Sequence, residues 1–303
     1  MLIPATTAPI SLDIDLPDRQ VTEGSAVAGA VLADAFSDLS VLGCEVALVR
    51  TTSYVHRQGS IYGGSASVPT RATEVVAARG LPGAGPVRTG GLLTLPFSMD
   101  VPAGGPGTVS ASLIQVQWAV RVRMKVDGSP PTETTRPFVV LSRASEREAV
   151  ADDPPSTVDR GLVALRFTQL SSRHLGPGAA ITGMLALDPL RPGAARGLRV
   201  ELLLREEVTR GPWIGNDPTR NPANEAREAE TVVARQVIAD RIEMDPRAHV
   251  ALPFQLRAPR RLASPSLATD QFRLSWILRG VADRALRPDP HVEVELHGAT
   301  TPG

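Results

Sequence analysis

The feature that most restricts the fold is a strand pattern that occurs twice in the chain. "LTLPFSMDVPAGGPGTVSASLIQVQWAVRVRMKV" begins at Leu93 and "VALPFQLRAPRRLASPSLATDQFRLSWILRGVAD" at Val250. Each carries Leu-Pro-Phe, then a stretch rich in Pro, Gly or Ser, then a Trp inside an alternating apolar run. Gly24, Val27, Gly29, Gly43, Val46 and Leu48 recur at Gly178, Ile181, Gly183, Gly197, Val200 and Leu202, a constant shift of 154 (178 − 24; 202 − 48). Glu74 of "EVVAA" meets Thr231 of "TVVAR", and Phe97 meets Phe254, at 157 (231 − 74; 254 − 97), while Trp118 meets Trp276 at 158 (276 − 118). The length changes fall between the runs, where loops absorb them. Such a doubling within 303 residues predicts two domains, 1–145 and 162–303, each long enough to bury its own core. Between them 146–161 is charged, holds Pro154-Pro155 and lacks alternation, so it reads as a linker.

Within each unit the apolar period is two. From Ile114 to Val126 every even position is apolar and the odd ones are Gln115, Gln117, Ala119, Arg121, Arg123 and Lys125. One face lies in a core and the other in water, the signature of a half-buried strand. Phe272, Leu274, Trp276 and Leu278 repeat the buried face, and Val292, Val294 and Leu296 alternate with Glu293 and Glu295 in a last strand. Short strands separated by Gly and Pro turns predict an all-β chain of two tandem β-sandwiches. One segment competes with that reading. "NPANEAREAETVVARQVIADRIEM" has good helix formers and Asn221 as a cap, which leaves residues 222–243 open between helix and strand. The repeat register makes Thr231–Arg235 a strand, and Pro222–Glu230 reads as a helical or disordered loop.

Composition removes several function classes. Lys+Arg and Asp+Glu are both 32, so no global field draws the chain to nucleic acid or an anionic membrane, and a charge-driven partner must read a local patch. Lys125 is the only lysine, and the abundance of Arg, Ala, Gly and Pro fits a high-GC bacterial genome. Cys44, alone in "VLGCEVALV", has no disulfide partner and reads as a buried, inert thiol. The N-terminus has no basic n-region followed by an apolar core, and no apolar run nears the ~20 residues that cross a bilayer, so a soluble, cytoplasmic protein is expected. Of the five histidines only His291 and His297 fall close together, and six residues along a strand is roughly 20 Å, too far for one metal. "GLPGAGPVRTGG" lacks the Lys-Ser/Thr of a phosphate loop and reads as a hairpin or long loop; Ser65 in "YGGSASV" is not in a nucleophile-elbow pattern. No cofactor, metal or catalytic set is expected.

"EGSAVAGAVLA", "LGCEVALVRTT", "LPFSMDVP" and "VQWAVRV", followed by "GPGAAITGMLAL", "GLRVELLLREE", "LPFQLRAP" and "LSWILRG", form an ordered set that resembles the arrestin-like superfamily from about Ser11 to Leu296. The resemblance implies two immunoglobulin-like, arrestin-type sandwiches joined by a hinge, with concave faces that cup protein partners and no enzymatic activity. Arrestins, trafficking adaptors, a retromer subunit and bacterial sporulation-control proteins belong to that superfamily. The sequence departs from animal arrestins in stopping at "HGATTPG" without a long tail, and in lacking paired lysines near its first strand, so phosphate sensing is not implied.

Two candidate partner-binding features follow. Arg121, Arg123 and Lys125 form a basic stripe at strand spacing, and the expected neighbour "PFVVLSR" offers no carboxylate opposite it. The stripe is either a solvated edge guard or the dock for an acidic protein segment or anionic lipid headgroup. In the second unit Arg273 and Arg279 are expected to pair with Glu293 and Glu295. Trp213, in "TRGPWIGNDPTRNP", either caps a sandwich end or anchors a partner. The reading that follows is a non-catalytic scaffold or adaptor that binds proteins. A tandem immunoglobulin-like module for carbohydrate or another small ligand is the alternative, disfavoured by 4% aromatic content, and a hidden hydrolase ranks third. Unpaired sheet edges also allow self-association.

Overall fold

The computed structural model of the chain describes residues 9–59, 65–83, 85–143, 157–159, 163–208, 227–284 and 289–301. Every regular element among them is a strand, and none is a helix long and apolar enough to cross a membrane. The chain divides into two compact units: Met1–Ser53, Arg71–Val109 and Gln115–Ser142 form the first, and Tyr54–Thr70, Ser110–Ile114 and Arg143–Gly303 the second.

The first ten strands are β1 (Ile10–Asp15), β2 (Gln20–Thr22), β3 (Ala26–Ala35), β4 (Leu39–Gly59), β5 (Ser65–Leu81), β6 (Gly85–Val87), β7 (Leu92–Asp100), β8 (Val109–Ser110), β9 (Ile114–Val126) and β10 (Thr132–Leu141). They make one sheet of order β1-β3-β7 and another of order β2-β10-β9-β4-β5, with β6 on β4 and β8 on β9. The next ten are β11 (Thr157–Asp159), β12 (Val163–Thr168), β13 (His174–Leu175), β14 (Ala180–Pro189), β15 (Gly193–Val208), β16 (Arg227–Met244), β17 (Val250–Arg257), β18 (Leu267–Ala268), β19 (Phe272–Asp283) and β20 (His291–Gly298). Their sheets run β11-β12-β14-β17 and β13-β20-β19-β15-β16, with β18 on β19.

Apart from β6 and β11 the two orders are the same, strand for strand. Both include one parallel pair, β2 with β10 and β13 with β20. The repeat read from the sequence is therefore a repeat of topology, and it fits β-sandwich architecture. The match reaches single atoms. Trp118 and Trp276 are each 1% exposed, and each indole N–H donates to a backbone carbonyl 12 residues back, Pro106 at 3.0 Å and Ser264 at 3.1 Å. Gly29 lies in register with Phe97 and Gly183 with Phe254; a Cβ on either glycine would stand within 3.0 to 3.1 Å of that ring. The aromatic ring of β7 or β17 thus crosses the backbone of the neighbouring strand, and only a residue without a side chain leaves it room.

All seven even positions of β9 from Ile114 to Val126 are buried, as the alternation requires. In β19 burial extends further, because Ser275 and Ile277 on the other face are covered too. Cys44 is buried, and burial pushes its thiol up to about 11, which keeps it protonated and unreactive at neutral pH.

Three expectations are refined. The helical or loop reading of 222–230 fails from Arg227 onward: β16 begins there and pairs with β15 from Arg227↔Val208 to Met244↔Gly193. Helix propensities of a few tenths of a kcal/mol per residue lose to a long neighbouring strand that offers a backbone ladder. Residues 222–226 lie outside the described residues. Within "GLPGAGPVRTGG" the segment Gly85–Val87 is strand β6, paired with Leu39–Val41. Of the segment read as linker, Thr157–Asp159 form β11 against Val163–Leu165, and the rest lies outside the described residues.

Candidate functional site

The alternation of β9 turns Arg121, Arg123 and Lys125 outward; Arg121 is half-buried and the other two are exposed. The neighbour is β10, as expected, but its register differs from expectation. The turn "DGSPP" closes so that Thr132–Arg136, rather than "PFVVL", lies beside the stripe, and Glu133 stands opposite Arg123 with Thr135 opposite Arg121. A carboxylate therefore does face the stripe. On the other side, Glu45 of β4 is exposed and corresponds to Arg199 (199 − 154), whose register partner Val281 corresponds to Arg123 (281 − 158), so a second acid flanks the stripe. Two acids thus stand beside three bases, and none of the three bases makes an ion pair with a described residue.

The equivalent face of the second unit is built differently. Arg279, which the repeat places at the position of Arg121, is opposite Glu293 of β20, and Arg205 of β15 is opposite Glu230 of β16. The four side chains close into a box: Arg205 reaches Glu230 at 2.7 Å and Glu293 at 2.8 Å, and Arg279 reaches Glu230 at 2.8 Å and Glu293 at 2.6 Å. Burial pushes both carboxyls up, but hydrogen bonds from the two guanidinium groups and their charges pull harder, leaving Glu230 and Glu293 below the usual glutamate range. Around the box, Arg199 holds Glu201, Asp283 and Asp289, Arg235 adds to Glu201, and Arg273 pairs with Glu295. The expected pairing of Arg273 and Arg279 with Glu295 and Glu293 is present. Leu203 and Ile277, in register with each other, are both buried, and the charges of this face are matched within it.

The repeat translates the box into the first unit residue by residue. Arg205, Glu230, Arg279 and Glu293 become Thr51 (205 − 154), Thr73 (230 − 157), Arg121 (279 − 158) and Thr135 (293 − 158). Thr51 and Thr73 hydrogen-bond through their hydroxyls at 3.1 Å. Both glutamates are replaced by threonines, and Arg121 keeps its charge with neither partner.

Sequence reasoning missed two further groups. Glu206, 1% exposed on β15, accepts hydrogen bonds from the backbone N–H groups of Ser112 (2.9 Å), Leu113 (2.6 Å) and Ile114 (3.1 Å) and from the Ser112 hydroxyl (2.6 Å). All these residues belong to the second unit, where the carboxylate holds the segment Ser110–Ile114. Its partners are mostly main-chain groups more than ninety positions away, which leave no side-chain signature. His174 and His297 are in register across the parallel pair β13–β20 with ring centroids 5.8 Å apart. Among the described residues no group of three or more His, Cys, Asp or Glu could hold a metal ion. His291 and His297 both lie on β20, at opposite ends. Trp213 lies outside the described residues. Comparison of the chain with protein-family models and with curated proteins finds no match to either.

Proposed function

We propose that this chain is a non-catalytic, cytoplasmic adaptor of arrestin-like type, built from two immunoglobulin-like sandwiches, that docks an acidic protein segment on the outer face of β9. One observation carries the reading: Arg121, Arg123 and Lys125 lie on the outer face without an ion pair to any described residue, where the equivalent face of the second unit is saturated by its own acids. Two copies of one strand, one with its cations ion-paired and one without, differ in what they offer a partner. Exposed charges attract oppositely charged segments and steer their approach. A fluorescent Asp/Glu-rich peptide is the probe. The parent protein should bind it in a salt-sensitive manner, and the combined substitution R121Q, R123Q and K125Q should weaken binding about tenfold, as expected for three exposed pairs. Equal binding by both proteins would exclude the face. Anionic lipid vesicles form the second arm; stripe-dependent binding to vesicles but not peptide would overturn the protein-segment assignment.

A further inference from the structure

The opposite sheet of the first unit carries the complement of the stripe. Strands β1, β3 and β7 contain no Arg or Lys, and their charged residues are Asp13, Asp15, Asp34 and Asp100, all exposed. The register places three of them together: Asp13 beside Leu32, Asp15 beside Ala30, and Asp34 beside Ser11, one row on from Asp13. On the central strand this outer face also carries Ala26, Ala28 and Ala30 and the half-buried Leu32, and Leu92 and Phe36 stand on it 67% and 56% exposed. None of Asp13, Asp15 and Asp34 makes an ion pair with a described residue.

The second unit again shows what is missing. Leu32 corresponds to Ala186 (186 − 154), and Arg166 is the register partner of Ala186, so Arg166 occupies the position of Asp13; Asp188 occupies that of Asp34 (188 − 154). Arg166 and Asp188 form an ion pair at 3.5 Å, with His249 on the same carboxylate. Where the second unit has a base and an acid, the first has two acids. The first unit thus carries three cations on one outer face and three acids on the other without ion pairs among the described residues, while the counterparts in the second unit are paired internally.

We propose that the acidic face formed by Asp13, Asp15 and Asp34 receives the Arg121–Arg123–Lys125 stripe of a second copy of this chain. The proposal rests on the reading of the stripe as a docking surface and names its occupant. Three acids meet three bases: Asp13 and Asp15 alternate along β1 roughly 6.8 Å apart, the spacing of the bases on β9, and Asp34 adds its charge from the adjacent β3 one row beyond Asp13, level with Ser11. The alanine platform lets the sheets approach, and Phe36 and Leu92 supply apolar area. Because the two patches differ, the contact is heterologous: each copy keeps one free face, and the contact repeats until a ring closes or a chain grows.

Light scattering on the full chain tests it, with three proteins. At low salt the parent's weight-average mass should rise with concentration to at least twice that of one chain, and fall back to one chain in about 0.5 M salt. The acid-face variant (D13N, D15N, D34N) and the stripe variant (R121Q, R123Q, K125Q) should each stay monomeric. Their equimolar mixture should form a 1:1 dimer and nothing larger, since each supplies the face the other lacks; this recovery also shows that both variants are folded. A parent that is monomeric at all concentrations in low salt, an oligomer that survives either variant, or a mixture that stays monomeric would each overturn the proposal. The acidic peptide separates this outcome from the docking reading. If the parent binds the peptide through the stripe, with the acid-face variant binding equally and the stripe variant weakly, but the parent itself does not self-associate, the stripe remains a dock and the second copy is not its occupant.

Discussion

Strands β9 and β19 hold the same place in the same topology and bury the same Trp, yet their outer faces are opposites. Over β19 the arginines are held by glutamates from β16 and β20, and Leu203 and Ile277 are buried. Over β9 the positions of those glutamates are Thr73 and Thr135, and the cations project without ion pairs among the described residues. The inner faces follow from what the fold needs, and two copies under the same need keep the same residues. The outer faces are free to differ, so their difference points to use rather than to folding.

The comparison breaks most visibly if the inner faces are not equivalent. Trp118→Ala and Trp276→Ala should each cost about 3–5 kcal/mol, the range for emptying a large aromatic site in a core. Urea denaturation would measure both. A loss confined to one of them would mean that the second Trp is not a structural counterpart of the first.

The next effect lies in the box. Glu293→Gln leaves Arg205 and Arg279 each with one carboxylate fewer, and should cost about 1–2 kcal/mol once partial exposure is allowed for. The Arg121 face, which has no such box, gives a smaller figure: R121Q should alter stability by less than about 0.5 kcal/mol. Similar losses in denaturation midpoint for the two substitutions would erase the distinction between a saturated and an open face.

Acid sharpens the same contrast. Glu230 and Glu293 titrate below their unfolded values, so the stability they supply is complete above the unfolded glutamate value of about 4.3 and is lost as pH falls through their folded values. Denaturation midpoints should therefore drop below about pH 4, and Glu293→Gln should flatten that drop. An unchanged pH profile in the variant would show that the box contributes nothing to folding.

These contrasts were unevenly legible in the sequence. Trp118 and Trp276 could be read because burial on one sheet face imposes a period of two that no helix shares, and because the same period recurs 158 residues on. Pairing of Arg279 with Glu293 was readable for the same reason, once adjacent strands were recognised. Glu133 opposite Arg123 was not, since register depends on how "DGSPP" turns, and a slide of a few residues along the strand changes which side chain faces the stripe. The start of β16 was obscured by "NEAREAE", whose helix formers become strand only beside β15. Asp13, Asp15 and Asp34 look unremarkable along the chain because they meet only when β1 and β3 pair.

The smallest expected effect is the most specific test of the comparison, because it builds the second unit's solution into the first. Thr135 lies opposite Arg121 as Glu293 lies opposite Arg279. Thr135→Glu should restore a cross-strand pair and stabilise the protein by about 0.2–1 kcal/mol, the worth of one such pair on a sheet surface. It should also weaken the acidic peptide, because Arg121 would then be held within its own sheet and the stripe would carry one uncompensated charge fewer. Denaturation and peptide titration on the same variant give both signs. A gain in stability together with a loss of binding would mean that the missing glutamate is what leaves this face open. If stability rises while peptide binding is unchanged, the acid partner must be docking elsewhere, and the charge on β9 is only a solvated strand.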